Sequence, residues 1–134
     1  MSLYNSTKGS QFEEIFNNSI QAELYGVKVY MALAHLAKQQ GLDDAAKVFH
    51  HIAVQEGEHA GMYAVANGEV NESFWNMVKQ IQALEEAADD NLSARAEELK
   101  EAGFIDASNE VARIAKEEKA HGLLLADLLK KYNK

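Results

Sequence analysis

The chain has no cysteine and no proline. Without thiols it cannot form disulfides, thiolate zinc sites or iron–sulfur clusters, and it has no thiol nucleophile. Without proline, its long stretches rich in Ala, Leu, Glu and Lys read as uninterrupted helix. Basic charge is scarce: 13 Lys and Arg against 21 Asp and Glu leave a net charge of −8. That argues against nucleic acid, which is gripped through a basic footprint, and against an anionic membrane surface. No apolar run nears the roughly 18–20 residues that span a bilayer. The opening MSLYNSTKGS has no apolar signal core. These absences predict a soluble cytoplasmic protein whose 134 residues suit a single domain, with residues 1–10 as a flexible lead.

What is present is helix. Gly41, Gly68 and Gly103 each follow a long helical pattern, at the place where a terminating glycine belongs. The expected helices run from about Phe12 to Gln40, Asp44 to Asn67, Ser73 to Ala102 and Ser108 to Tyr132. Ser10 and Glu13 have the S-x-x-E spacing of a capping box at the first start. No strand signal competes, so the fold class is all-α: four helices in a bundle.

Apolar residues recur at helical spacing in all four segments, and each stripe is broken in mid-helix by ionisable residues. The first reads Phe12, Phe16, Ile20, then Glu23, then Val27, Tyr30, Ala34 and Ala37. The second reads Ala45, Phe49, Ile52, then Glu56 and His59, then Tyr63 and Ala66. The third reads Ile81, Leu84, then Glu85, then Ala88, Leu92 and Leu99, and the fourth Val111, Ile114, then Glu118 and His121, then Leu125 and Leu128. The interruptions share a register. Glu23 and Glu85, Gly41 and Gly103, Glu56 and Glu118, and His59 and His121 are all separated by 62 positions. The chain is therefore one helical hairpin written twice, with Glu on its first helix and Glu-x-x-His on its second.

Glu and His three residues apart on a helix share a face and can reach one point. Leaving such charges dry and unpaired costs several kcal/mol per ion. Lys and Arg are absent from the stripes near these positions, so ion pairing is not the evident remedy. Two divalent metals match the count: four carboxylates balance two dications, and two neutral imidazoles complete the set. Oxygen and imidazole donors without thiolate suit iron, manganese or zinc. A Glu from each of two helices plus Glu-x-x-His from the other two is the ligand set of dinuclear carboxylate bundles. Glu56 and Glu118 are expected to bridge the ions, His59 and His121 to cap one each, and Glu23 and Glu85 to be terminal ligands. His35, His50 and His51 lack a partner set and read as surface residues. Glu58 points off the stripe, and Phe74 and Trp75 read as packing at the start of the third helix. Tyr30, on the Glu23 face, reads equally as a donor to the site or as plain core.

At these residues the chain resembles the rubrerythrin family of ferritin-like bundles. QAELYGVKVYMALAHLAKQQG followed by FHHIAVQEGEHAG is similar to the family's first hairpin, and VARIAKEEKAHG to its fourth helix. The resemblance spans roughly residues 12–130. It implies Glu23, Glu56, His59, Glu118 and His121 as ligands to two irons, and Tyr30 as a tyrosine hydrogen-bonding at the centre. It implies a di-iron oxidoreductase that reduces hydrogen peroxide to water, a peroxidase serving oxidative-stress protection. Dioxygen and ferrous iron are alternative substrates, and a redox-silent zinc or mixed-metal protein is the competing reading. The third helix departs from the family pattern. A second glutamate is usual one turn after Glu85, and here that place is Ala88, while Leu92 stands where the family has a tyrosine. Glu86 or Asp89 could substitute only through a π-bulge or local rotation. The cysteine-ligated rubredoxin domain is also missing, so turnover requires an external electron donor such as a separate rubredoxin.

Helices 2 and 3 of this bundle class run parallel, so the link between them must travel the bundle's length. The expected helix ends require it to recover about 30 Å, whereas residues 68–72 extend to roughly 17 Å. A homodimer exchanging hairpins resolves the mismatch, and is the assembly expected from the sequence.

Overall fold

The computed structural model describes residues 2–71 and 73–134. Among the described residues there are four helices: α1 Glu13–Gln39, α2 Asp43–Ala66, α3 Trp75–Glu101 and α4 Ile105–Lys131. They form two compact units, residues 1–72 and 73–134, each a helical hairpin.

All four helices end in the same way. The residue after the cap adopts a left-handed backbone, with φ of 73° at Gly41, 68° at Gly68, 89° at Gly103 and 54° at Asn133. The next amide then bonds back to the last turn, as in Leu42 N–H to the Ala37 carbonyl at 2.9 Å and Phe104 N–H to that of Leu99 at 2.8 Å. This is the Schellman closure, and glycine enters it without the Cβ penalty. The three glycine stops read from the sequence hold; the Asn133 stop was not foreseen.

The helix starts differ more. α4 begins at Ile105, before the expected Ser108. Ser108 is buried inside the helix and donates its hydroxyl to the Ala96 carbonyl of α3 at 2.7 Å. It joins two helices rather than capping one. The Ser10–Glu13 box does not close either. Glu13 reaches past Ser10 to accept the Gly9 amide at 2.6 Å, while Ser10 Oγ donates to the Thr7 carbonyl and accepts from Phe12 N–H. Within residues 1–10, expected as a flexible lead, Asn5 and Thr7 hydrogen-bond to the end of α2. Asn5 and Thr7 donate their amides to the Val65 and Ala66 carbonyls at 3.0 Å each. Met1 lies outside the described residues.

Within each hairpin the helices meet along a seam of small residues. Ala37, Ala53, Ala60 and Ala66 are buried in the first, and Ala96, Ala115 and Gly122 in the second. Ala53 and Ala115 are repeat equivalents, 1% and 2% exposed, so the 62-residue period extends into the packing. The third stripe needs correction. Ile81 and Leu84 are 40% and 69% exposed, and the covered positions of α3 include Val78, Gln82, Glu85, Leu92 and Ala96. Glu85 remains on the inward face, but its N-terminal neighbours there are Gln82 and Val78. At the far end Phe74 and Trp75 do pack the helix start. The Trp75 ring lies 4.7 Å from Phe74 and 5.2 Å from Tyr132 of α4.

Asn67 closes the first hairpin. It is 4% exposed, donates Nδ2 to the Glu13 carbonyl at 2.9 Å and to Asn17 Oδ1 at 2.8 Å, and accepts the Thr7 hydroxyl at 2.6 Å. Removing it breaks three part-buried hydrogen bonds, at about 1 kcal/mol per bond. N67A is expected to lower unfolding free energy by about 2–4 kcal/mol, checked by urea denaturation.

The link between α2 and α3 spans residues 67–74, longer than the expected 68–72, because α2 ends at Ala66 and α3 starts at Trp75. Glu72, in the expected link, lies outside the described residues. The shorter helices leave about 25 Å to recover, and the nine steps from Ala66 to Trp75 extend to about 30 Å.

Candidate metal centre

Each hairpin gathers one glutamate from its first helix and Glu-x-x-His from its second. Glu23 of α1 meets Glu56 and His59 of α2, and Glu85 of α3 meets Glu118 and His121 of α4. In each trio one donor atom per residue lies within 4.8 Å of the others. His59 Nδ1 is 3.4 Å from Glu23 Oε2 and 3.7 Å from Glu56 Oε2. His121 Nδ1 is 3.5 Å from Glu85 Oε2 and 3.6 Å from Glu118 Oε2. The two trios agree to 0.1 Å in each distance, although the hairpins share few other residues. The six residues read from the sequence as ligands thus fall into two trios, three to a hairpin.

The carboxylates are held against the helix seam, with side chains 19–28% exposed, while the two imidazoles are 56% and 52% exposed. Two carboxylates side by side repel one another. Glu56 is held above the ordinary carboxylate pKa, first by sharing a hydrogen bond with Glu23, then by burial and by the Glu23 charge; His59 opposes the shift. Glu118 is raised by Glu85 in the same order of causes, against His121. In the second trio Glu85 Oε2 is buried with no hydrogen-bond partner among the described residues. A buried carboxylate oxygen of this kind needs a cation or a proton.

A divalent ion fits. Oxygen and nitrogen ligands at about 2.0–2.2 Å from one ion lie roughly 3.0–3.5 Å from each other. The distances of 3.4–3.7 Å between His Nδ1 and the carboxylates are within a small contraction of that. Nδ1 is the ring nitrogen turned towards the carboxylates, which makes it the donor atom for an ion held among them.

The remaining candidates lie elsewhere. Tyr30 packs its ring 6.4 Å from that of Phe49 and makes no hydrogen bond to the trio among the described residues. His35, His50, His51 and Glu58 are exposed. α3 is regular α-helix through residues 85–89, without the π-bulge that would turn another carboxylate inward. Asp89 instead approaches Lys119 Nζ at 3.5 Å and accepts from Ser93 at 3.4 Å. Glu86 lies against Gly122. Sequence reasoning missed Lys119 and the glycines at 26 and 122. A glycine inside a long helix signals close backbone approach, and that cue was available.

A helical chain with two Glu and Glu-x-x-His trios falls in the class of ferritin-like carboxylate proteins, whose domain is a four-helix bundle. The Rubrerythrin family model matches residues 14–129, and the chain belongs to that family, whose members bind a di-iron centre. Relatives include an uncharacterised protein of Methanocaldococcus jannaschii, 29% identical over 96% of this chain and 91% of its own length. Reverse rubrerythrin-1 of Clostridium acetobutylicum is also 29% identical, over 81% of this chain and 60% of that protein. No solved structure matches significantly. Among the described residues no helix is long and apolar enough to cross a membrane.

Proposed function

We propose that the two trios together hold two iron ions and that the protein reduces hydrogen peroxide to water, using electrons from an external donor. The observation that carries the reading is the pair of matching trios, with the unpartnered oxygen of Glu85 buried in one of them. Iron bound there would supply, by passing from ferrous to ferric, the two electrons consumed as H2O2 and two protons become two waters. Glu56 and Glu118 are proposed to bridge, Glu23 and Glu85 to bind terminally, and His59 and His121 to bind one ion each through Nδ1. The half-exposed imidazoles leave an approach for a small oxidant. The chain has no cysteine, so it carries no thiolate iron of its own, and a separate rubredoxin-like protein fits as donor. Six donors require both hairpins, supplied by one chain or by two copies in a homodimer.

A redox-silent zinc or mixed-metal site is the second reading. It is favoured by Ala88 in the place of the family's further helix-3 glutamate and by the engagement of Asp89 with Lys119. Stopped-flow mixing of anaerobic ferrous protein with stoichiometric peroxide separates the two. Fast ferric absorbance, at one peroxide per two irons, is the expected result. A ferrous protein that oxidises no faster than free iron would support the silent site.

A further inference from the structure

We propose that Gly26 is a positioning residue for Glu56: the missing side chain on α1 is what lets this carboxylate lie beside Glu23. The proposal rests on the metal-binding reading above. Gly26 stands one helical turn after Glu23. A Cβ there would lie 3.2 Å from both Cδ and Oε1 of Glu56 and 3.3 Å from its Cγ. Carbon atoms pack best at about 3.5–4.0 Å, so an added methyl makes the carboxylate give by a few tenths of an ångström. The carboxylate is the mobile partner. It would swing away from α1, and so away from Glu23 and His59.

The repeat makes the feature specific. Position 88, the equivalent of Gly26 in the second hairpin, is alanine, and Gly122 on α4 corresponds to Ala60 on α2. Gly26 and Gly122 thus each have alanine at the repeat-equivalent position and lie on opposite helices of their hairpins. The second glycine does a different job. A Cβ at Gly122 would meet the Glu86 backbone nitrogen at 3.3 Å as well as Glu86 Cγ at 3.0 Å, so it governs how closely α4 approaches α3. Only in the first hairpin does the glycine make room for a proposed ligand. Glu56 and Glu118 consequently face different residues on the first helix of their own hairpins, glycine in one and alanine in the other.

The test is anaerobic calorimetric titration of the whole chain with Fe(II), paired with melting of the metal-free protein. Three variants are compared: G26A, G61A and G122A. Gly61 lies in α2 with open space around a Cβ, so G61A reports the gain in helix propensity alone. The wild type is expected to bind two irons. G26A is expected to bind iron about 10–100-fold more weakly, as for other changes that disorient a ligand. Its metal-free form should melt no lower than the wild type. G61A should bind as the wild type does and melt slightly higher, and G122A should melt lower. Wild-type affinity in G26A would overturn the proposal. So would a metal-free G26A that melts below the wild type, which would make Gly26 a packing residue. A wild type that binds no iron would instead refute the metal reading beneath it.

Discussion

E56Q/E118Q is expected to raise the melting temperature of the metal-free protein while abolishing its metal binding. Glu56 sits against Glu23 and Glu118 against Glu85, and both are held above the ordinary carboxylate pKa chiefly by those neighbours. A raised carboxylate binds its proton more tightly in the folded state than in the unfolded chain. The folded state then holds more protons, and stability falls as pH rises from the ordinary carboxylate value through the raised one. Above that window the metal-free wild type carries the cost of two adjacent charges in each trio. Glutamine removes the charge at each bridging position, keeps the shape, and can donate to the remaining glutamate. The double variant should therefore melt higher at neutral pH and show a flatter pH dependence across that window. It should also retain no tightly bound metal. A double variant that melts lower than the metal-free wild type would show that the paired carboxylates are not under mutual repulsion.

Removing the metal should destabilise the wild type by a comparable or larger amount. A ligand that binds only the folded state at a thousand times its Kd contributes about 4 kcal/mol. In a chain of this size that shifts Tm by on the order of 10 °C. Chelation of the loaded protein should cost that much, and restoring Fe(II) anaerobically should recover it. The pH trends should also oppose one another. The loaded form loses stability as pH falls, because protons compete with the ions for the carboxylates and imidazoles. The metal-free form gains stability over the carboxylate range. Identical melting curves with and without chelator would contradict the account.

The repeat made most of this visible in the sequence. Ionisable residues at one register on four apolar stripes are a costly pattern, and both trios came together as the spacing required. Helix ends marked by Gly41, Gly68 and Gly103 were equally legible, since a left-handed terminator admits few residues. The starts were not. Ser108 has the composition of a cap but is spent on a hydrogen bond to the neighbouring helix, a contact that no local pattern encodes. The inward face of α3 was misread at Ile81 and Leu84 because hydrophobicity was followed where geometry selects Gln82. Asn67 was taken as the last residue of a helix, and its three partners lie about fifty to sixty positions away in sequence. The expected ends of α2 and α3 lay one and two residues too far out, which shortened the expected link from eight residues to five.

The central claim is that these two trios hold a pair of iron ions. Its most direct test is elemental analysis of protein expressed with iron and purified without added metal, beside the E56A/E118A variant. Two irons per chain, absent from the variant, is the predicted result. Metal-free wild type, or equal metal in both proteins, would contradict it.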